Sequence, residues 1–519
     1  MLDQIPSEIL LEMIPFFTSS DYTRLILVSK GWYDVFIPHL YYHISLPLND
    51  YDYFGTSYGN LPESLLPIRR FTQAIIMNSS LAPLIRSLEL YLSDCKEGRW
   101  EQLPPLETFP EERYRHFMLP YGESKRKHRR KLYAWRRDLK EDSERSDYHR
   151  ALHHYENAWL ALLLVQLRNL EKLGVALPEE RWVLGYEDGP FPPRRSPHFE
   201  RVIAWASHPK LGVLTKLKQI ALKNGPCIWE IGISMNATPL TRLLPFLRIP
   251  SLRKLYVSNP CDRSLLSMPK DLSTIALKHL DFEAPKEAMP NLPRFLERCS
   301  ALESFTIQQK VHNGTYSQDR QDLHQLYQSL QRSRFSIRHL SLTLHDQGVC
   351  RDTKIPAPVF FGPLSNFPRL ESVHIRWSNL LQIPESRTTT PITPLWALFP
   401  SSLKHLFIDQ CLLQCSEVLY TELVTLVKHY HAHVPSLRKL YLRFAERERA
   451  PTSLPEDLRT KRMTSERANH DRLLELRLDF GVLGVDFRIS QGDEKVTFGQ
   501  EYSIKNKWPK GKDGKVFVL

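Results

Sequence analysis

One short pattern, L-x-x-L-x-L with aliphatic or Phe substitutions, recurs along most of this chain and constrains its fold more than any other feature. Eleven occurrences are legible: Ile85/Leu88/Leu90, Leu170/Leu173/Val175, Leu217/Ile220/Leu222, Leu252/Leu255/Val257, Leu277/Leu280/Phe282, Leu302/Phe305/Ile307, Ile337/Leu340/Leu342, Leu370/Val373/Ile375, Leu403/Leu406/Ile408, Leu437/Leu440/Leu442 and Leu473/Leu476/Leu478. From Leu217 onward the successive offsets are 35, 25, 25, 35, 33, 33, 34 and 36 residues, a regularity that chance does not maintain. The last two apolar positions of each unit lie two residues apart, so both point to one face of a strand. Between these strands the spacing turns helical: Leu292, Phe295, Leu296 and Cys299 follow i, i+3, i+4, i+7, and so do Leu323, Leu326, Tyr327 and Leu330. A strand followed by a helix, repeated, stacks into a solenoid.

The units resemble leucine-rich repeats in a long, irregular form, and LKHLFIDQC, Leu403 to Cys411, also carries that family's terminal Cys. The resemblance implies an α/β solenoid with parallel strands on the concave face and helices on the convex face; an ordinary α/β domain with Leu-rich strands is the plainer alternative. In a solenoid the side chain between the last two apolar positions faces the concave surface. Stacked repeats would then set His374, Phe407 and Tyr441 in a lateral ladder. His405 and Lys439 flank it on one side, Arg376, Asp409 and Arg443 on the other. Exposed aromatics bordered by arginine are common in interaction hot spots, so these eight residues are the candidate target-binding set. The plainer outcome is that Phe407 or Tyr441 packs under a neighbouring loop or the C-terminal tail.

The N-terminus has a different character. Ile9, Leu10, Met13, Phe16 and Phe17 recur at helical spacing after Pro6, with Pro15 expected to kink or shorten that helix. Ser19, Ser20 and Asp21 supply capping residues for a second helix through Tyr22, Leu25, Ile26 and Val28. A third is expected through Trp32, Val35 and Phe36, stopping before Pro38. Three helices this short carry more apolar side chains than they can hide among themselves, which implies burial against a partner or against the rest of the chain. The succession IPSEIL, FF, SSD, LVSKGWYD, LYYHISL resembles the F-box family, in particular its fungal members. That resemblance implies docking to a Skp-family adaptor and, through it, to a cullin scaffold. The adaptor-facing residues it implies are Ile5, Pro6, Ile9, Leu10, Ile14, Phe17, Leu25, Val28 and Trp32, some of which would instead be internal to the helical module. The chain departs from the family pattern at Ile5, Pro15, Thr18 and Tyr22.

Bulk composition is consistent with a folded chain that binds rather than reacts. The 519 residues exceed one small core, and the seven cysteines are odd in number and scattered, unlike a secreted disulfide framework. With no charged leader and no apolar run of bilayer length, the expected setting is cytosol or nucleus, without membrane contact. The net charge of +12 is dispersed; only KRKHRRK, Lys125 to Lys131, is dense, so nucleic acid is not the expected partner. No phosphate loop, dinucleotide fingerprint, zinc-protease helix or nucleophile elbow is present. Cys411 and Cys415 with His429, His431 and His433 lack the tight ligand pairs of structural zinc. No catalytic residue, metal or cofactor is therefore expected. The expected organisation is an F-box module at 1–46, a linker and N-terminal cap at 47–83, a repeat solenoid at 84–481 with a basic, polar insertion at about 96–157, and a tail or cap at 482–519. The expected function is that of a substrate receptor for an SCF-type ubiquitin ligase. The alternative is an adaptor-bound repeat scaffold that serves in assembly or signalling without target ubiquitination.

Overall fold

The structure is a computed structural model that describes residues 12, 14–17, 19–46, 67–91, 159–177, 197–224, 238–239, 243–261, 275–283, 289–308, 322–343, 360–382, 391–411, 416–444 and 471–491. The chain divides into two compact units, residues 1–238, 242–255 and 508–519 in the first and 239–241 and 256–507 in the second. Among the described residues twelve strands form the main sheet pairing: β1 (His43–Leu46), β2 (Ser87–Tyr91), β3 (Lys172–Leu177), β4 (Gln219–Asn224), β5 (Lys254–Ser258), β6 (His279–Glu283), β7 (Ser304–Gln308), β8 (His339–Thr343), β9 (Ser372–Arg376), β10 (His405–Cys411), β11 (Lys439–Phe444) and β12 (Asp486–Gln491). In the first unit the hydrogen-bonded order is β1-β2-β3-β4, then the start of β5. In the second, the end of β5 is followed by β6 through β12 in chain order.

Strands β1–β4 and β6–β12 pair in parallel, and the register aligns equivalent repeat positions. Phe305 faces Leu340, then Val373, Leu406, Leu440 and Phe487 across successive strands. Every one of these side chains is at most 3% exposed. A parallel pair needs a crossover, and the crossovers are α3 (Pro67–Met77), α4 (159–166), α5 (Pro197–Ala206), α6 (Leu244–Leu247), α7 (Leu292–Leu296), α8 (Leu323–Leu330), α9 (Trp377–Leu380), α10 (Ser416–His433) and α11 (471–482), with 3₁₀ turns among them. The helical faces expected from spacing are the buried ones: Leu292, Phe295, Leu296 and Cys299 in and after α7, and Leu323, Leu326, Tyr327 and Leu330 in α8. Helix α4 is buried on all sides from Trp159 to Leu164 and is a core helix. Among the described residues no helix is long and apolar enough to cross a membrane. Strands in register with helices between them make this an α/β solenoid-type fold.

Ten of the eleven expected units are strands. The eleventh, Leu473/Leu476/Leu478, lies in α11: Leu473, Leu476 and Phe480 are buried at i, i+3, i+7, whereas Leu478 is exposed. A spacing of three serves a helical face as well as a repeat. The last strand among the described residues is β12, which pairs in parallel with β11, so the expected tail or cap at 482–519 opens with one more rung; residues 492–519 lie outside the described residues. At the other end, His43–Leu46 of the expected F-box module is β1 and pairs with Ser87–Leu90. The sheet thus begins before residue 84 and ends after 481. The third N-terminal helix, expected to stop before Pro38, runs on to Tyr42. Proline forfeits one hydrogen bond there, a cost of about 3 kcal/mol or more, and burial of Tyr41 with half-burial of Leu40 works against the loss. The basic run Lys125 to Lys131 and Cys415 lie outside the described residues.

Neighbouring repeats are stitched at the turns that lead into the strands. Ser251, Ser336 and Ser402 donate from Oγ to the carbonyls of Leu217, Leu302 and Leu370 in the preceding repeat, at 2.8, 2.9 and 2.9 Å. The backbone N–H of each residue just before a strand donates to its counterpart one repeat back: Glu303 to Lys278, Arg338 to Glu303, Glu371 to Arg338, Lys404 to Glu371 and Arg438 to Lys404, at 2.7–2.8 Å. Gly362, at φ +137°, lies against the Tyr327 ring, where an added Cβ would sit 2.6 Å from a ring carbon.

Candidate functional site

Two surfaces bear on function, and the first is the N-terminal module. After a 3₁₀ turn at Ile14–Phe16, α1 (Ser19–Leu25) packs with α2 (Lys30–Tyr42), whose cap Ser29 accepts a hydrogen bond from Trp32 N at 3.3 Å. The core is Tyr22, Trp32 and Phe36, with Ile14, Phe17, Leu25, Ile26, Val35 and Leu40 packed on it. Phe17 meets Phe36 edge-on at 5.7 Å, and Tyr22 donates from its hydroxyl to the Ile14 carbonyl at 2.7 Å. Tyr22, a departure from the F-box pattern, is thus built into the core. Of the expected adaptor-facing residues, Trp32 is internal, Ile14, Phe17 and Leu25 are half-buried on the same core, and Val28 is half exposed. Ile5, Pro6, Ile9 and Leu10 lie outside the described residues. Two side chains outside the expected adaptor-facing set are the most exposed large apolar ones described in the module: Phe16 at 81% and Leu27 at 80%. Phe16 belongs to the expected apolar spacing but lies in a 3₁₀ turn, and Leu27 lies in the turn after α1, so helical periodicity did not predict their exposure.

The second surface is the open face of the sheet in the second unit. Strands β8–β12 bring the expected ladder together, but as a packed network. Phe407 lies flat against His374 at 4.2 Å between ring centroids, and the Arg443 guanidinium lies over the same Phe407 ring at 5.4 Å from its centroid. Arg443 donates to both carboxylate oxygens of Asp409, from Nε at 2.7 Å to one of them. His374 Nε2 is 3.4 Å from Asp409, and its Nδ1 is 3.2 Å from Ser341 Oγ. Tyr441 donates to Asp486 at 3.0 Å, and Arg488 also binds Asp486. Burial works to raise the Asp409 carboxyl, but the hydrogen bonds from His374 and Arg443 outweigh it and hold the group far below the usual carboxylate range. Burial lowers His374, more than Asp409 raises it, which favours the neutral imidazole.

This network corrects the expectation of exposed aromatics. Phe407, Asp409 and Arg376 are 1%, 2% and 3% exposed, so they cannot meet a partner as the face stands. His405, Lys439, Tyr441 and Arg443 are half-buried. Their shared face follows from strand alternation; their burial does not. Just after Asp409, Gln410 adopts φ +54°, and the register with β11 shifts between Ile408 and Cys411. Such a bulge re-aims the residues beside it, here bringing the Gln410 N–H to Asp409 Oδ1 at 2.7 Å. Serine, histidine and carboxylate in series could suggest nucleophilic catalysis. Arg443, however, binds both Asp409 oxygens, one of which His374 also approaches, so the carboxylate anchors both side chains. His429 stacks on Trp396 at 4.5 Å and His433 lies tilted against it at 4.3 Å, and among the described residues no group of three or more His, Cys, Asp or Glu is placed to hold a metal ion.

A third feature escaped the sequence reading. In all ten true units the residue after the first apolar position is charged: Arg86, Glu171, Lys218, Arg253, Lys278, Glu303, Arg338, Glu371, Lys404 and Arg438. These pair across repeats, Arg86 with Glu171 at 3.6 Å, Glu171 with Lys218 at 3.1 Å, Lys278 with Glu303 at 2.6 Å, and Glu371 with both Arg338 and Lys404 at 3.5 and 2.8 Å. Residues 237–447, which span β5 to β11, match the family model described as a leucine-rich repeat domain. That stretch is a leucine-rich repeat domain. Strands β1–β4 and β12 lie outside the matched residues although they follow the same pattern. No curated protein matches the chain. A leucine-rich repeat domain suggests a protein–protein interaction scaffold, a type of module that is typically non-catalytic.

Proposed function

We propose that this chain is a substrate receptor of an SCF-type ubiquitin ligase, with its N-terminal helices on a Skp-family adaptor and its repeats on a protein target. The observation that carries the proposal is apolar surplus on a module whose core is already complete. Phe16 and Leu27 remain about four-fifths exposed and Val28 half exposed, although Tyr22, Trp32 and Phe36 already fill the interior. Large apolar side chains left exposed on so small a module are what a docking face requires. The order of residues from IPSEIL to LYYHISL, which resembles the F-box family, gives that face its partner. The mechanism is proximity: a bound target lysine is held near a charged conjugating enzyme at high effective concentration, with no bond made or broken by this chain.

Because His43–Leu46 is a sheet strand, deletion through residue 46 would damage the repeats, and point substitution is the cleaner test. Phe16→Glu with Leu27→Glu should leave thermal unfolding unchanged, since neither side chain is buried, and should abolish co-purification of adaptor and cullin. Retention of both by the double variant would sink the proposal.

A further inference from the structure

In the second unit the turns leading into the strands form one edge, stacked by the backbone bonds from Glu303 to Arg438 given above. The inner row of that edge alternates in sign from Lys278 to Lys404. Its two carboxylates are already engaged: hydrogen bonds from Lys278 and Lys404, only partly offset by burial, hold Glu303 and Glu371 below the usual range. Beside this row, on the turns after α8 and before β9, stand Arg332, Arg334 and Arg369, all exposed. Among the described residues no salt bridge joins a carboxylate to these three or to Arg438. Arg334 lies over Phe335 at 4.5 Å, and that ring is itself 62% exposed. An exposed cation on an exposed aromatic is a poor use of a monomer's surface and a good contact for a partner.

We propose that this leading edge docks an extended acidic polypeptide segment carrying a carboxylate at about every third residue. Lys278, Arg338 and Lys404 sit on alternate strands, and strands lie about 4.8 Å apart, so these cations repeat about every 10 Å. An extended peptide rises about 3.3 Å per residue and covers that distance in three. Its carboxylates can therefore face the cations and pass over Glu303 and Glu371. A nucleic-acid strand cannot do this, because it carries charge at every nucleotide and would press phosphates against both glutamates. The inference rests on the reading of the repeats as a protein-binding surface and moves the contact from the packed face of the sheet to its edge.

The test is fluorescence anisotropy on the full chain with three labelled probes: a peptide with Glu at every third position, one of identical composition with its Glu in a single block, and a single-stranded RNA of similar length. The spaced peptide should bind at least about tenfold tighter than the block peptide and weaken steeply with salt. Arg332→Glu/Arg334→Glu/Arg369→Glu should weaken it by about tenfold or more while keeping the wild-type thermal transition, and Arg24→Glu on α1 should not. Equal binding by a folded triple variant, preference for the block peptide or RNA, or no binding by any probe would each overturn the proposal. Adaptor capture by the same triple variant keeps the two readings separable, since an edge without peptide affinity leaves adaptor docking standing and lost docking leaves the edge standing.

Discussion

At the scale of single residues, two positions hold more of the structure than their size suggests. Gly362 combines a backbone conformation open only to glycine with a ring at contact distance. Gly362→Ala should therefore cost about 2–4 kcal/mol, measured as a shift in the urea midpoint of the second unit's transition, because it adds strain and displaces Tyr327. Displacing that ring also endangers its bonds to the Pro363 carbonyl at 3.2 Å and from Asn366 at 2.6 Å. Asp409 is the second such position. Asp409→Asn removes the charge that Arg443 needs and should cost about 3 kcal/mol, whereas Asp409→Leu with Arg443→Met should cost less, since no charge is then left without its partner. If denaturation finds the double variant worse than the single, the anchoring role assigned to Asp409 is wrong.

At the scale of elements, α11 is the sharpest test of the fold. Leu476→Ala should destabilise by about 2–5 kcal/mol, while Leu478→Ala should fall within about 0.5 kcal/mol of the parent; a strand at this position would reverse or equalise them. Strands β8–β10 carry the pH-dependent prediction. Burial depresses His374 in the folded chain, and the groups facing it are Ser341, Asp409 and Arg443. The unfolded chain then takes up the proton first as pH falls. Stability from neutral His374 is complete above about pH 6.5 and declines below it. His374→Asn should flatten the fall in urea midpoint between about pH 7 and 5.5, and an unchanged slope would remove His374 from the account. Ten strands were legible because β-sheet burial repeats every second residue and the units recur at similar spacing. The eleventh misled because Leu473 and Leu476 suit a helix equally well. Its neighbour Leu474, where the other ten units carry a charge, was the warning.

Across the whole molecule, stability resides in contacts between adjacent repeats. Leu340→Ala in β8 should therefore speed hydrogen exchange in β7 and β9 of the second unit while leaving β2 and β3 of the first unchanged. Uniform acceleration through both units would contradict that locality. The candidate surfaces were less legible than the fold. Alternation placed His374, Phe407 and Tyr441 on one face but carried no information on what would pack there. Phe16 stands in the apolar spacing expected of the first helix yet is exposed, and Leu27 lies off that spacing, so periodicity alone does not find this surface. The charged row was visible in the sequence all along, one residue after each leading leucine. Its signs have a parity. Plus and minus alternate from Lys278 through Lys404, so excising one repeat from within that run sets two like charges side by side, whereas excising two restores the alternation. Each like-charge contact costs only a few tenths of a kcal/mol, but the cost recurs at every odd change in number. A lineage of such proteins would drift more easily by pairs of repeats than by single ones, and a designer shortening this chain should cut it the same way.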